Sequence, residues 1–548
     1  MSQNSENPLK DKSILIIDDQ KSFQQLLKGM LIQLGSNNVS FYDSGEAALN
    51  KIDKDSVDIV FIDYNLGQGR NGKQFLEELK YLNKLSRHSI SILVTGESTR
   101  SVVLSVLEIE PDDYLIKPFS SGMLKTRLSK LSNKKKLFFD ANQAIEDGQL
   151  EAAVQIYLKI AKDRPRNAQF CYKRVCQIYF DLGQYQNAFE LLGNILATAR
   201  PTWALTYMAQ TCMFLAQYDK AIRICDELLG QNRFNIDALD IKALCLNHID
   251  QGKESLFLIE QSCNISPHSF ARQKTFAEIA QANNDLEALV RAHSTLLAMS
   301  KGTAFAHIDY QFNYIRAMFS QLHLANSKEE KADLSNQIKG SLRQAKNDPT
   351  VTEQHALFKE FNTFCEARLS VSEGDFLDAK KMIAPYIAEQ SLSSSVLPDS
   401  VMALFDLGEF DDANAQLEKY KGLNECDGQT LKQLQERNES LANHQTEFEQ
   451  HNVRGIELYK QGDFQNAIEQ FEMALKYAPM NTGSALNLLQ ALLQLLPRAN
   501  QAADVILEKC RSNFRLVEGM ALPRQHAKRL EDLKFEYNKL AKLYSQSN

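Results

Sequence analysis

Short apolar runs rich in β-branched residues alternate with amphipathic segments over the first 130 residues of the chain. Five such runs occupy residues 13–19, 39–43, 57–65, 89–96 and 113–118. Between the first two runs, apolar residues recur at intervals of three and four residues, which is the spacing of one helix face. Strands that alternate with helices in this way form a parallel sheet covered by helices on both faces. The pattern therefore predicts a doubly wound α/β domain with five parallel strands.

After residue 136 the strand pattern stops and the sequence becomes helical, rich in alanine and leucine. A six-residue signature that starts with Gly and ends with Ala occupies residues 148–153, 183–188, 374–379, 408–413 and 462–467, and residues 216–221 with Ala in place of Gly. The alanines of the first three copies are 35 and 33 residues apart, and those of the copies at 374–379 and 408–413 are 34 apart, which indicates paired antiparallel helices stacked into a solenoid. We expect the Gly to end one helix in a tight turn and the Ala to let two helices approach closely.

The amino-acid composition excludes several classes of protein. Of the 548 residues, 44% are hydrophobic and 24% are charged, which is ordinary for a folded globular protein. The chain has 62 basic and 69 acidic residues, so we expect no nucleic-acid partner. It lacks a run of ~18 apolar residues and an apolar leader, so we expect no membrane insertion and a cytoplasmic location. The nine cysteines form no C-x-x-C pair, which favours reduced packing residues over metal or redox chemistry.

Candidate chemistry lies where the predicted strands end. In an open parallel sheet the carboxyl ends of the strands meet at one crevice, which here would gather Asp18, Asp19, Asp63, Thr95 and Lys117. Three carboxylates at one edge repel each other unless a cation lies among them, and an all-oxygen site suits Mg²⁺. A hydroxyl and an ammonium group opposite them suit the oxygens of a phosphorylated carboxylate.

These residues, in this order and at these spacings, resemble the receiver domain of response regulators, which has a flavodoxin-like fold. The resemblance covers residues 12–131. It implies that Asp63 is the phosphoacceptor, and that Asp18 and Asp19 bind Mg²⁺ together with Asp63 and the backbone carbonyl of Asn65. A degenerate receiver that keeps the fold without the chemistry is the alternative, which the intact set of charged residues disfavours.

The same resemblance assigns the remaining site residues. It implies that Thr95 is the switch hydroxyl, that Lys117 contacts the phosphoryl group and that Tyr114 is the switch aromatic residue. The chain departs from the family pattern after the phosphoacceptor, where the loop from Leu66 to Gly72 is one residue longer and rich in glycine. We expect this loop to be more mobile than usual.

The helical half resembles the tetratricopeptide repeat (TPR), with its best copy at residues 455–479. No set of residues in this half has the spacing of a catalytic or metal site, so we predict no enzyme beyond the phosphate chemistry of the receiver. The output is then binding of a protein or peptide in the groove of the repeats.

The domain organisation follows from these patterns. We expect a receiver at residues 10–131, a junction at 132–136, a TPR-like block at 137–322 and a helical region with further TPR-like repeats at 323–422. A polar connecting helix at 423–449 and C-terminal TPR and capping helices at 450–548 complete the chain. The fold class is thus a five-stranded α/β receiver followed by an all-α TPR solenoid.

The sequence is therefore interpreted as a two-component response regulator. A histidine kinase would phosphorylate Asp63, and the phosphorylated receiver would control protein binding by the repeats. The domain order resembles that of VieB-type auxiliary regulators, which implies modulation of a partner kinase or regulator. The alternative is a constitutive TPR scaffold whose receiver serves only for docking, and homodimerisation stays open.

The route from the receiver to the repeats has two interpretations. The predicted fourth helix, residues 100–107, carries more apolar residues than one face against a sheet needs. One interpretation is that this helix and the fifth strand dock on the repeats or on a second receiver, with Thr95 and Tyr114 rearranging the contact. The other is that residues 134–136 form a flexible lysine tether and the valines simply pack in the core.

Overall fold

A computed structural model describes residues 9, 11–53, 56–67, 70–96, 102, 106, 108–389, 392–424, 426–498, 503–520, 522 and 524–545. The chain forms two compact units, Met1–Asn326 and Ser327–Asn548. The first unit contains the sheet domain and a set of paired helices, here called the helical block. The second unit is entirely helical in its described residues.

The N-terminal domain contains the five-stranded parallel sheet expected from the sequence. The strands are β1 (Ser13–Ile17), β2 (Asn38–Tyr42), β3 (Ile59–Asp63), β4 (Ile90–Thr95) and β5 (Asp113–Ile116). Their order across the sheet is β2-β1-β3-β4-β5, and all neighbouring pairs are parallel. Every residue of β3 and β4 is buried, which explains why these strands are mostly apolar without an alternation of apolar and polar residues.

Helices cover both faces of this sheet. They are α1 (Lys21–Gln33), α2 (Gly45–Leu49), α3 (Gly72–Tyr81) and α4 (Ser121–Leu137). Two separate apolar cores result: α1 and α4 pack on one face, with Leu27 and Leu128 at its centre, and α3 packs on the other with Phe75 and Leu79. The doubly wound architecture is confirmed.

The junction to the helical block is helical and not a tether. Helix α4 runs through Lys134, Lys135 and Lys136 to Leu137, and the next helix begins at Phe139. The Nζ of Lys135 lies 2.9 Å from a carboxylate oxygen of Asp112, and the Nζ of Lys134 lies 4.0 Å from the centre of the Phe170 ring. The flexible lysine tether is therefore wrong, because all three lysines lie within α4 and two of them contact neighbouring parts of the first unit.

The helical block comprises eleven α-helices in the described chain. They are α5 (Phe139–Glu146), α6 (Leu150–Asp163), α7 (Ala168–Asp181), α8 (Tyr185–Leu196), α9 (Thr202–Phe214), α10 (Tyr218–Gln231), α11 (Ile236–His248), α12 (Gly252–Ile265), α13 (Phe270–Ala282), α14 (Leu286–Ser300) and α15 (Ile308–Leu324), with a 3₁₀ turn at Pro165–Asn167.

A left-handed residue ends the first helix of successive pairs at a regular interval. These residues are Gly148, Gly183, Ala216, Asp250 and Asn284, all with φ between 55° and 74°. They are 35, 33, 34 and 34 residues apart, so the period continues through the part of the sequence where the signature has eroded. Glycine adopts this conformation without strain, whereas Ala, Asp and Asn adopt it at a cost.

The alanine that closes each signature is completely buried. Ala153, Ala188 and Ala221 in the first unit have no exposed surface, and the same holds for Ala379, Ala413 and Ala467 in the second. A β-carbon is all that fits at these helix contacts, which is the physical role expected for the small residue.

The second unit contains eleven more α-helices in its described part. They are α16 (Lys328–Ala345), α17 (Pro349–Glu353), α18 (His355–Glu373), α19 (Phe376–Glu389), α20 (Leu397–Leu407), α21 (Phe410–Lys421), α22 (Gly428–Lys460), α23 (Phe464–Tyr477), α24 (Thr482–Leu495), α25 (Ala503–Glu518) and α26 (Arg524–Ser545). Short 3₁₀ turns lie at Ser394–Val396 and Leu496–Arg498. The polar segment at 423–449 lies mostly within α22, which continues into the best repeat copy. The expected domain boundaries stay predictions.

Two expectations from composition can be compared with the structure. All nine cysteines are free, and eight of them are buried in apolar surroundings, as expected for packing residues. Among the residues described, no helix is both long and apolar enough to cross a membrane.

The sheet domain contacts the helical block, but most of the helix expected to make this contact lies outside the described residues. In the predicted fourth helix, residues 100, 101, 103–105 and 107 lie outside the described residues, while Val102 and Val106 are buried in the core of the domain. Ile116 on β5 is 42% exposed. Contacts with the block in the described part of the chain include those made by Arg70, by α3, by residues 86–88, by residues 108–110 and by Lys134.

The left-handed turns generate a prediction about stability. Substituting Gly183→Ala should lower the free energy of unfolding by about 1 kcal/mol, because φ is +67° there and no other atom lies within 4 Å of a new β-carbon. Substituting Ala216→Gly, at φ +56°, should raise it by a similar amount. Urea unfolding of both variants measures the difference, and changes of the same sign would contradict the left-handed assignment.

Candidate functional site

Three carboxylates lie together at the carboxyl edge of the sheet. Asp18 and Asp19 follow β1, and Asp63 is the last residue of β3. Their ligand oxygens lie within 4.8 Å of one another. Asp18 and Asp63 are almost completely buried, at 1% and 4% exposure, whereas Asp19 is exposed. The parallel pairing of β1 with β3 brings the two strand ends side by side, as the sequence predicted.

Lys117 supplies the positive charge opposite these carboxylates. Its Nζ lies 2.7 Å from Oδ2 of Asp18 and 3.0 Å from Oδ1 of Asp63. The same ammonium group lies 4.0 Å from the centre of the Phe23 ring, an attractive cation–π distance. The backbone N–H of Lys117 donates to the carbonyl of Thr95 at 2.8 Å, which fixes the end of β5 against the end of β4.

The pKa of the Asp63 carboxyl group is raised by its surroundings. Burial raises its pKa, the ammonium of Lys117 lowers it and the negative charges of Asp18 and Asp19 raise it further. The result is a pKa of about 6, well above the ordinary 3.8. A cation added beside the three carboxylates would therefore favour the charged form of Asp63.

The segment after Asp63 returns tightly over the strand end. The N–H of Gly72 donates to the carbonyl of Tyr64 at 2.8 Å, and a β-carbon at Gly72 would overlap the carbonyl oxygen of Asp63. Gly67 has a φ of +79°, and a β-carbon there would lie 3.3 Å from a carboxylate oxygen of Asp19. Both glycines thus let backbone pass close to the acidic pocket. Residues 68 and 69 lie outside the described residues, and the expected mobility of the loop stays a prediction.

The remaining residues singled out from the sequence lie around the same edge. Thr95 ends β4 and is 3% exposed. Tyr114 on β5 is half-buried and packs against the core cluster that contains Val102 and Val106. Asn65 is exposed, and its side-chain oxygen accepts a long 3.4 Å hydrogen bond from the N–H of Gly67.

Two residues near the pocket were not predicted from the sequence. Gln24 is 1% exposed, and its Nε2 donates to the carbonyl of Asp18 at 2.5 Å and to a carboxylate oxygen of Asp43 at 2.8 Å. Gln24 therefore fixes the loop that carries Asp18. Phe23 is one of the apolar residues that predict the first helix, and its ring also contacts Lys117.

Comparison with known proteins agrees with this geometry. Residues 14–129 match the family model described as the response regulator receiver domain. The chemotaxis protein CheY-3 of Vibrio cholerae serotype O1 is 30% identical over 122 residues, which are 22% of this chain and 92% of that protein. The chemotaxis protein CheY of Pseudomonas aeruginosa is 28% identical over 118 residues, 22% of this chain and 94% of its own.

Solved structures similar to this chain include receiver domains. The beryllofluoride-activated DrrB receiver domain is 28% identical, with a TM-score of 0.20, and the match covers 22% of this chain and 96% of that one. The chemotaxis protein CheY4 of Vibrio cholerae is 22% identical, with a TM-score of 0.20, and the match covers 22% and 98% of the two chains.

The raised pKa of Asp63 predicts a pH-dependent gain in stability for Asp63→Asn in metal-free buffer. The folded state binds this proton more tightly than the unfolded chain, so wild type loses stability as the pH rises from about 4 to about 6. The variant does not, and its advantage should grow over that range to at most about 3 kcal/mol. Urea unfolding against pH measures it, with the exposed Asp53→Asn as control. Parallel pH curves for Asp63→Asn and wild type would contradict the prediction.

Proposed function

Because the chain belongs, through residues 14–129, to the response regulator receiver family, we propose that a histidine kinase phosphorylates it on Asp63. Phosphorylation then controls protein binding by the helical part of the chain. The observation that carries the proposal is the position of Asp63, with the ammonium of Lys117 3.0 Å away and two further carboxylates within 4.8 Å.

The donor set of the pocket fits a magnesium ion. Asp18, Asp19 and Asp63 offer carboxylate oxygens, and the backbone carbonyl of Asn65 is the fourth protein ligand in this proposal. Mg²⁺ prefers oxygen ligands and keeps several waters, which leaves room for a phosphoryl oxygen. When bound, the ion supplies positive charge that neutralises the phosphoryl oxygens during transfer.

The chain's own residues account for the remaining steps of the transfer. A carboxylate oxygen of Asp63 attacks the phosphorus of a phosphohistidine, so that an O–P bond forms while the N–P bond breaks. The electron pair of the broken bond stays on the imidazole nitrogen. Lys117, which now holds Asp18 and Asp63, can donate to the incoming phosphoryl oxygens. The hydroxyl of Thr95 is a second donor at the same edge.

The product adds a charge of about −1.5 to −2 at a buried position. In our proposal Thr95 moves toward this charge, and the ring of Tyr114, which packs against the core cluster that contains Val102 and Val106, moves with it. These are the switch roles proposed for the two residues.

The helical part is proposed to be a TPR array that binds a protein or peptide. Support comes from the left-handed turns that recur every 33 to 35 residues and from the completely buried alanines of the signature. Stacked helix pairs of this kind form an extended surface suited to peptides or helices. The alternative is a constitutive scaffold whose receiver accepts no phosphate, and labelling of Asp63 separates the two.

Labelling with a small phosphodonor tests the proposal directly. The full-length protein incubated with acetyl phosphate and Mg²⁺ should gain the mass of one phosphoryl group, and Asp63→Ala should gain none. Omitting Mg²⁺ should reduce the labelled fraction by about tenfold or more, because the added charge would lie unscreened beside Asp18 and Asp19.

The matched control is Asp53→Ala, since the side chain of Asp53 is 89% exposed on the same domain. It should be labelled like wild type in intact-mass spectrometry. Labelling that persists in Asp63→Ala would refute the assignment of the phosphoacceptor. Failure of the wild-type protein to be labelled at all would favour the scaffold alternative.

A further inference from the structure

Helix α3 of the receiver and Arg70, two residues before it, join the helical block through charged side chains that are buried. The guanidinium of Arg70 donates to the carbonyl of Gly302 and pairs with Glu78. Glu78, only 1% exposed, also accepts from the backbone N–H of Ala304. One arginine–carboxylate pair of the receiver thus binds both a backbone acceptor and a backbone donor of the same loop in the block.

Glu108 lies at the centre of a second cluster. One of its oxygens lies 2.9 Å from the Nζ of Lys73 and accepts from the hydroxyl of Ser266 at 2.8 Å. The other lies 2.7 Å from Arg272. Lys73, with no exposed surface, also donates to the carbonyl of His268 at 2.9 Å. Although burial raises the pKa of Glu108, the positive charges of Lys73 and Arg272 lower it overall.

Contacts at both ends extend this surface, which we call the receiver–block interface. Glu110 pairs with Lys173 and accepts from Gln177 at 3.3 Å. The ring of Tyr81 lies 4.7 Å from that of Phe305. At the far end, residues 86–88 contact α5, where Ser86 donates to a carboxylate oxygen of Glu146 at 2.9 Å.

The stability of the interface depends on the exact placement of its charged groups, because these groups are buried away from water. A buried ion pair is stable only when its partners are well placed, and the loss of one partner leaves an unpaired charge away from water. Lys73, Glu78 and Arg272 are all less than 7% exposed. A small displacement of α3 would therefore weaken several contacts together.

Two of the chain segments that leave the acidic pocket, those after Asp63 and after Thr95, lead into this interface. After Asp63 the chain returns over the strand end, where Gly72 touches the carbonyl of Asp63, and the next residue is Lys73. Thr95 ends β4, and Glu108 follows the buried Val106 by two residues; between Thr95 and Glu108 only residues 96, 102 and 106 lie within the described part of the chain. The state of the pocket can thus reach the block along two connections.

We propose that the receiver–block interface is an intramolecular lock that is closed when Asp63 is unphosphorylated and loosened when Asp63 carries a phosphoryl group. The proposal rests on the proposed function. In the structure the closed interface occurs together with a pocket in which Lys117 bridges Asp18 and Asp63, and the backbone at Gly72 lies so close to the carbonyl of Asp63 that a β-carbon there would overlap it. The added charge attracts Lys117 and shifts the strand ends. The contacts between α3 and the helical block are then weakened.

Hydrogen–deuterium exchange of the full-length protein tests the lock. Samples with Mg²⁺ alone are compared with samples containing Mg²⁺ and beryllofluoride, and fluorine NMR of the same samples reports binding of the analogue. We expect residues 266–272 and 302–305, on the block side, to exchange about threefold to tenfold faster with the analogue. Binding without faster exchange there would overturn the lock. Absence of binding would overturn the proposed function itself, and the lock with it.

Variants separate the lock from a general loss of stability. Glu108→Gln should raise exchange at residues 266–272 without the analogue, while β3 in the receiver core stays protected. Phe305→Ala tests the interface from the block side and should have the same effect on residues 302–305. The control Asp113→Asn removes a partly buried pair with Arg127 within the receiver and should leave the block unchanged. Unchanged block exchange in both interface variants would show that these contacts do not hold the lock.

Discussion

The ammonium group of Lys117 lies between two buried carboxylates, and the rest of the proposed mechanism depends on that arrangement. Without it, Asp18 and Asp63 would place two negative charges next to each other in a poorly solvated site. Burial already raises the pKa of Asp63 to about 6, so the site favours the neutral form of this carboxyl group. An additional cation would stabilise the charged form. A pocket of this kind attracts a divalent ion and then accepts a phosphoryl group whose oxygens Lys117 can bind.

The fold connects this local electrostatic balance to a distant surface. In a doubly wound sheet the segments after neighbouring strands leave from the same edge. Here the segments after Asp63 and Thr95 both continue into contacts with the helical block, through Lys73 and Glu108. The acidic pocket is therefore linked to the block by two short segments of the chain as well as by buried ion pairs. This gives the phosphoacceptor a physical means of influencing the helical array.

Sequence patterns were sufficient to predict the strands and the residues that form the acidic pocket. Asp18, Asp63, Thr95 and Lys117 all end or follow apolar runs, and the rule that parallel strand ends converge needs no long-range information. The signature Gly and Ala of the repeats were also predictable, because backbone conformation and close packing select these residue types locally. Asp250 and Asn284 were missed, since they adopt the same left-handed turn with residues that are common in any loop.

The interface and the support of the pocket could not be predicted for a different reason. Lys73 and Glu78 lie on a helix in which charged residues usually indicate solvent, and their partners are roughly 200 residues away in the chain. Gln24 likewise looks like a surface residue of an amphipathic helix until the fold places it against the end of β1. Pairing of buried polar groups is a tertiary property, and the local sequence carries little signal of it.

Thermodynamic linkage offers the most direct test of the central claim that the pocket and the interface are coupled. If binding at Asp63 loosens the interface, then weakening the interface must strengthen binding at Asp63, by at most the factor by which the equilibrium between closed and open interface is shifted. The measurement is the dissociation constant of beryllofluoride, in the presence of Mg²⁺, for wild type and Glu108→Gln. The account predicts tighter binding by the variant, by about threefold to tenfold. Equal affinities would contradict it, because the two sites would then be independent.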